Sequence, residues 1–131
     1  MTTKILAAPL LCLALYCCLP SGLAAQEAFS RRFSFGYPGA VLTSIVATDS
    51  CYYAVGVVAD SMPPFKAGNA FLRFGLDGDL QMARFLHDTT KTYETWRNAL
   101  AWSADGNLAS VGYTTDSLFK VMLIVYEPET G

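Results

Sequence analysis

Residues 43–61 read TSIVATDSCYYAVGVVADS, and residues 98–117 read NALAWSADGNLASVGYTTDS. Superposing Gly56 on Gly112 displaces the chain by 56 residues and puts Asp49 on Asp105, Val55 on Val111, Asp60 on Asp116 and Ser61 on Ser117. Each copy is an apolar run, an Asp-centred turn, a second apolar run through Val-Gly, and a polar Asp-Ser exit. Self-similarity at such a period marks a chain built from one supersecondary unit used more than once. Such a unit cannot bury its apolar face alone.

Working outward, the chain reads as strands separated by turns. Residues 31–35 (RRFSF) alternate polar and aromatic and predict a short strand, followed by a turn at Gly36-Tyr37-Pro38-Gly39. Residues 41–47 predict a strand, Thr48-Asp49-Ser50 a hairpin turn, and residues 52–58 (YYAVGVV) a strand apolar on both faces. Gly56 inside it predicts a bulge or a close backbone approach. A loop runs from Asp60 to Gly68. A strand over 70–76 then meets Asp77-Gly78-Asp79, whose Asp-Gly suits the primed hairpin turns. The cycle restarts with residues 80–86 (LQMARFL) in the position of RRFSF. A polar loop follows from His87 to Glu94. Residues 95–103 permit a short helix, but their relation to 41–47 favours a strand. Residues 108–113 answer YYAVGVV, and 119–126 (FKVMLIVY) form the most apolar strand. The expected fold is all-β: two antiparallel four-stranded, propeller-like blades, the second incomplete.

The first residues read as an address. Lys4 precedes an uncharged apolar core at 5–19, Pro20-Ser21-Gly22 breaks it, and Leu23-Ala24-Ala25 offers small residues for cleavage. This is the three-part signal-peptide pattern, and the core is shorter than the roughly 20 apolar residues a membrane span needs. The domain reading is therefore a signal peptide at 1–25, a first repeat at 26–79 and an incomplete second repeat at 80–131, with no membrane span in the mature chain. Cys12, Cys17 and Cys18 leave with the leader, so Cys51 stands without a disulfide framework.

Nine Lys and Arg residues, one of them Lys4, face eleven Asp and Glu residues. The basic residues are scattered and only Arg31-Arg32 are adjacent, which disfavours nucleic acid as a partner. The abundance of Tyr, Phe, Val and Thr favours strands over helices.

The segment Leu100-Ala101-Trp102-Ser103-Ala104-Asp105-Gly106-Asn107-Leu108-Ala109-Ser110-Val111-Gly112 resembles blades of WD40-like and TolB-like propellers. These run apolar-Trp-Ser-Pro-Asp-Gly-x-apolar-Ala-x-Gly; Ala104 stands in place of the Pro. Tyr126-Glu127 stands where WD40 blades carry Trp-Asp, their Gly-His pair is absent, and the displacement of 56 exceeds the ~40–45 residues of that family. Over roughly residues 30–131 the chain is also similar to long-period repeats of secreted Bacteroidetes-type proteins. The matching residues are Phe33-Ser34-Phe35-Gly36, Asp49-Ser50-Cys51-Tyr52-Tyr53-Ala54-Val55-Gly56 and Phe71-Leu72-Arg73-Phe74-Gly75-Leu76-Asp77-Gly78. Those proteins usually carry a C-terminal sorting domain, so the resemblance implies a truncated chain or blades completed by other copies. Both resemblances imply propeller-like blades and neither implies catalysis.

Asp49, Asp77, Asp79 and Asp105 sit at turns, where capping is expected before calcium; Asp77-Gly78-Asp79 lacks the further ligands of a calcium loop. Ser103-Ala104-Asp105-Gly106 is similar to a sialidase Asp-box, but the glycine and aromatic that should follow are misplaced. His87 has no Cys/His spacing for a metal and is expected in a solvated loop. Cys51 is expected as a small filler. Trp96 and Trp102 fit either a core or a sugar- or peptide-binding groove, the core being the first expectation. No catalytic residue, metal ligand or cofactor site is assigned. The expected role is a secreted or cell-surface, non-catalytic repeat module for protein or glycan binding or scaffolding. The alternatives are a fragment of an extracellular propeller hydrolase and an adhesive domain that closes by self-association.

Overall fold

A computed structural model of the protein describes residues 30–63, 65–116 and 118–131. The expected leader, with Cys12, Cys17 and Cys18, lies outside these residues. The described chain is all-β. Its strands are β1 (Gly39–Ala47), β2 (Cys51–Ala59), β3 (Ala67–Gly75), β4 (Leu80–Leu86), β5 (Thr92–Trp102), β6 (Leu108–Thr115) and β7 (Phe119–Tyr126). They form two antiparallel sheets, ordered β1-β2-β3-β4 and β5-β6-β7, called here sheets A and B.

Three details differ from the sequence expectation. Residues 31–35 form no ladder. Their period-two pattern does mark a one-sided segment, but its aromatic side lies flat on sheet A, with Phe33 ring-to-ring with Phe74 at 5.1 Å and Phe35 with Phe85 at 5.8 Å. Alternation reports which side is apolar, and an apolar side is satisfied by a sheet face as well as by a place in a ladder. Second, β4 pairs with β3 and completes sheet A, because the tight turn at 76–79 returns the chain onto the strand it has just left. The sheets therefore divide after Leu86, one strand beyond the start of the second sequence repeat. Third, sheet B has three strands among the described residues rather than four, and β5 begins at Thr92, inside the expected polar loop.

Glycine placement explains a feature common to both sheets. In β1 the register slips between Leu42 and Ser44, and in β5 between Thr95 and Leu100. Gly56 and Gly112 lie opposite these bulges. A Cβ on Gly56 would collide with the Val41 carbonyl oxygen and approach the Leu42 Cα to 3.1 Å; one on Gly112 would collide with the Glu94 carbonyl oxygen and approach the Thr95 Cα to 2.9 Å. The repeated Val-Gly of the sequence is thus a repeated seat for a bulged edge strand.

The two sheets stack through contacts between residues 52 to 57 positions apart in the sequence. Ser44 Oγ accepts from the Leu100 amide at 3.2 Å across a separation of 56 residues, and Arg73 Nη1 meets Glu129 Oε2 at 2.9 Å across the same separation. The Thr43 and Thr95 hydroxyls lie 2.9 Å apart, 52 residues distant in sequence. The Tyr126 hydroxyl donates to Asn69 Oδ1 at 2.9 Å, 57 residues away. Between the sheets lie Cys51, Tyr53, Val55, Phe71, Leu100, Leu108 and Tyr126, all buried. Phe71 is the centre: its ring stacks on Tyr126 at 4.4 Å and on Tyr53 at 6.0 Å, in nearly parallel planes. Such offset pairs contribute beyond simple area burial.

The stacking is head to tail. Aligning the registers about Gly56 and Gly112 makes Phe71 the counterpart of Leu123, and Phe74 the counterpart of Tyr126. Sheet A turns its Phe71 side toward sheet B, whereas sheet B turns its Tyr126 side toward sheet A. The Phe74 side of sheet A and the Leu123 side of sheet B are therefore the two ends of the stack. The first is covered by the arm of residues 30–38, beneath which Ala54, Leu72 and Phe74 are buried. The second faces outward.

Candidate functional site

The outward end is built by β7. Its odd positions Phe119, Val121, Leu123 and Val125 point to one side by strand alternation, and they are 80%, 77%, 65% and 56% exposed. Cross-strand neighbours Thr115, Tyr113, Val111 and Ala109 extend the surface onto β6. Tyr113 packs its ring against Phe119 at 5.5 Å and donates its hydroxyl to Glu94 Oε2 at 2.5 Å. Exposed contiguous apolar faces of this kind are a general feature of interaction sites and of aggregation-prone surfaces. The sequence named 119–126 as the most apolar strand but could not show which of its two sides lies open, because both are apolar.

Trp96 and Trp102 are not core residues: they are 49% and 44% exposed. Trp96 stands on the β5 bulge, beside Asn98, whose φ of 55° marks the strained point of the fold-over. Trp102 meets Tyr53 edge-on at 5.7 Å, at the rim of the inter-sheet contact. The two indoles thus lie at the bulge and at the end of the edge strand β5.

Asp77 and Asp105 hold their own turns together. Asp77 Oδ1 accepts from the Asp79 amide at 3.1 Å. Asp105 accepts from the Ser103 hydroxyl, and at 3.2 Å from Asn107 Nδ2; these bonds, the Ser103 bond foremost, hold its carboxyl below the usual range. Asp79 pairs with Arg31 at 3.2 Å. Asp49 lies exposed in the β1–β2 turn. Among the described residues no group of three His, Cys, Asp or Glu side chains converges as a metal site would require.

His87 is less solvated than expected. Its Nε2 lies 3.2 Å from Asp60 Oδ2, and its ring lies 5.5 Å from that of Tyr37. Cys51 is buried against Thr48, whose hydroxyl lies 3.3 Å from Sγ. Burial pushes the Cys51 thiol up, but hydrogen bonds from Thr48, Tyr53 and Ser50 and the charge of Arg73 outweigh it and hold the thiol below its ordinary range. With the sulfur enclosed, this leaves it a packing residue.

Tyr53 and Tyr113, together with Tyr126, whose hydroxyl burial also pushes up, couple the fold to alkaline pH. Burial, and then the neighbouring Cys51, pushes the Tyr53 hydroxyl up to about 12. The Glu94 carboxylate, and then burial, does the same for Tyr113, also to about 12. Unfolded phenols titrate near 10, so the native state holds these protons more tightly. Their contribution to stability is fully present below about pH 10 and is lost as pH rises toward 12. Denaturant titrations across that window should show falling stability, and Glu94→Gln should make the fall shallower. A flat profile would contradict the assignment.

No protein family matches the chain, and neither a curated protein nor a solved structure matches it. Among the described residues no helix is long and apolar enough to cross a membrane.

Proposed function

We propose that the protein is a secreted or cell-surface, non-catalytic module of stacked, propeller-like repeats, acting by binding a protein or a glycan or as a scaffold. The observation that carries this reading is the head-to-tail stacking of the two sheets, in which the Phe71 side of sheet A meets the Tyr126 side of sheet B. Successive blades of a propeller, like other stacked repeats, meet in this way, each unit burying the face its neighbour presents. The bulged edge strands β1 and β5 lie side by side, as the axis-facing strands of adjacent blades do. The acidic residues are engaged at turns and surface ion pairs, and the exposed aromatic and aliphatic surface suits recognition. Export rests on the leader pattern at 1–25.

The test uses the protein recovered from the medium of an expressing culture. Its first residue should be Ala25 or Gln26; retention of the leader inside the cell would overturn export. On panels of immobilised glycans and peptides it should bind saturably and leave the ligand chemically intact. Turnover of any of them would overturn the non-catalytic reading.

A further inference from the structure

The two ends of the stack carry matched substitutions. In the contact between sheets A and B, Ser110 Oγ, Tyr126 OH and Asn69 Oδ1 form one buried chain of hydrogen bonds, each link 2.9 Å. The same three places can be located on the two ends. On the Phe74 side of sheet A, Ser110 is answered by Ala54 and Tyr126 by Phe74; on the Leu123 side of sheet B, Asn69 is answered by Val121. The hydroxyl is missing from one end and its acceptor from the other. Docked as A docks on B, the ends would bring Phe74 onto Val121, an apolar pair where the internal contact has Tyr126 on Asn69. The wide pair Tyr53 and Trp102 is likewise answered by a narrow one, Ala109 and Ala47.

We propose that the outward face of sheet B is covered by the Phe74 face of sheet A from a second copy of this chain, head to tail, in the geometry by which sheet B already covers sheet A. This deepens, and rests on, the stacked-repeat reading. A heterologous contact of this type builds a closed ring or an open array according to its rotation. The arm of residues 30–38 occupies the receiving face through Phe33 and Phe35, so it competes with the second copy and must move aside.

Sedimentation velocity of the secreted protein over a range of concentrations tests the contact. Self-association is expected. Val121→Asn and Phe74→Tyr should each weaken it, on the order of tenfold, by leaving one polar group unpaired. The double variant should recover most of the loss, since it restores the Asn–Tyr pair. Leu123→Lys, on a side chain that takes no part in the internal core, should abolish association and leave the melting temperature of the dilute monomer unchanged. Phe33→Ser should strengthen association by freeing the receiving face. A monomer at every concentration overturns the proposal, as do losses that simply add in the double variant or an arm variant that associates less. A monomer that still binds an immobilised glycan or peptide would sink the self-contact alone and leave the module reading standing.

Discussion

Phe71→Ala is expected to destabilise the protein by about 3–5 kcal/mol, the range for truncating a fully buried phenylalanine. Phe71 is 1% exposed and contributes from β3 to the shared core of both sheets. Its ring separates Tyr53 from Tyr126, so removal deletes two stacked contacts and opens a void that neither tyrosine can fill. Tyr126 is held by Ser110 and Asn69 through its hydroxyl, and Tyr53 is backed by Trp102. With its neighbours fixed in this way, the site cannot collapse, which places the cost toward the upper part of the range. Domains of this size have only about 5–15 kcal/mol in total, so the variant should melt far earlier or fail to fold. Chemical denaturation followed by tryptophan fluorescence would measure the effect, because Trp102 borders the same cluster. A loss below about 1 kcal/mol would mean that the two sheets do not share this core.

Gly112→Ala should be the second severe change. The added methyl meets the Glu94 carbonyl oxygen and the Thr95 Cα, which are backbone and cannot rotate away as a side chain would. The bulge in β5 must flatten or β5 must lift from β6. Overpacking of this kind costs typically 1–3 kcal/mol, and more when main chain is the obstacle. Lifting β5 would also break the Thr43–Thr95 and Ser44–Leu100 contacts that join the sheets. A control separates strain from mere loss of flexibility: Gly39, whose Cβ would find only an ordinary 3.8 Å contact with Ala59, should accept alanine with little change. Hydrogen exchange at the β5 amides gives the local readout. Protection of Leu100 should fall in Gly112→Ala and persist in Gly39→Ala. Equal behaviour of the two variants would remove the argument from close approach.

Most strands were legible because their signals are local. Asp-Gly turns, the Asp49 and Asp105 loops and the apolar runs between them put an expected strand on each of the seven observed, and Gly56 announced a close backbone approach. What was not legible depends on pairing partners that no local pattern encodes. RRFSF and LQMARFL look alike in sequence, but Leu80–Leu86 follows a tight turn that delivers it to the edge of β3, whereas the Phe33 segment has no such turn and settles on a face. The tryptophans were expected inside because bulk favours burial; Trp96 was carried outward by the fold-over of β5, whose length depends on the opposing Gly112. The outward face of β7 could be anticipated as apolar but not as open, since exposure is set by which neighbour is present. Turn capping by Asp77 and Asp105 was readable because an Asx side chain reaches only its own backbone neighbourhood.

The division of the sheets after Leu86 has a consequence for how this chain could have grown. The segment that repeats and the body that stacks are out of phase, so β4 opens the second copy in sequence while it closes the first sheet in space. Excising one whole period would not lift out a tile; it would unpick a seam on either side. Each period is dovetailed into the next by its leading strand, and lengthening or shortening such a chain must happen in whole steps that keep every joint occupied.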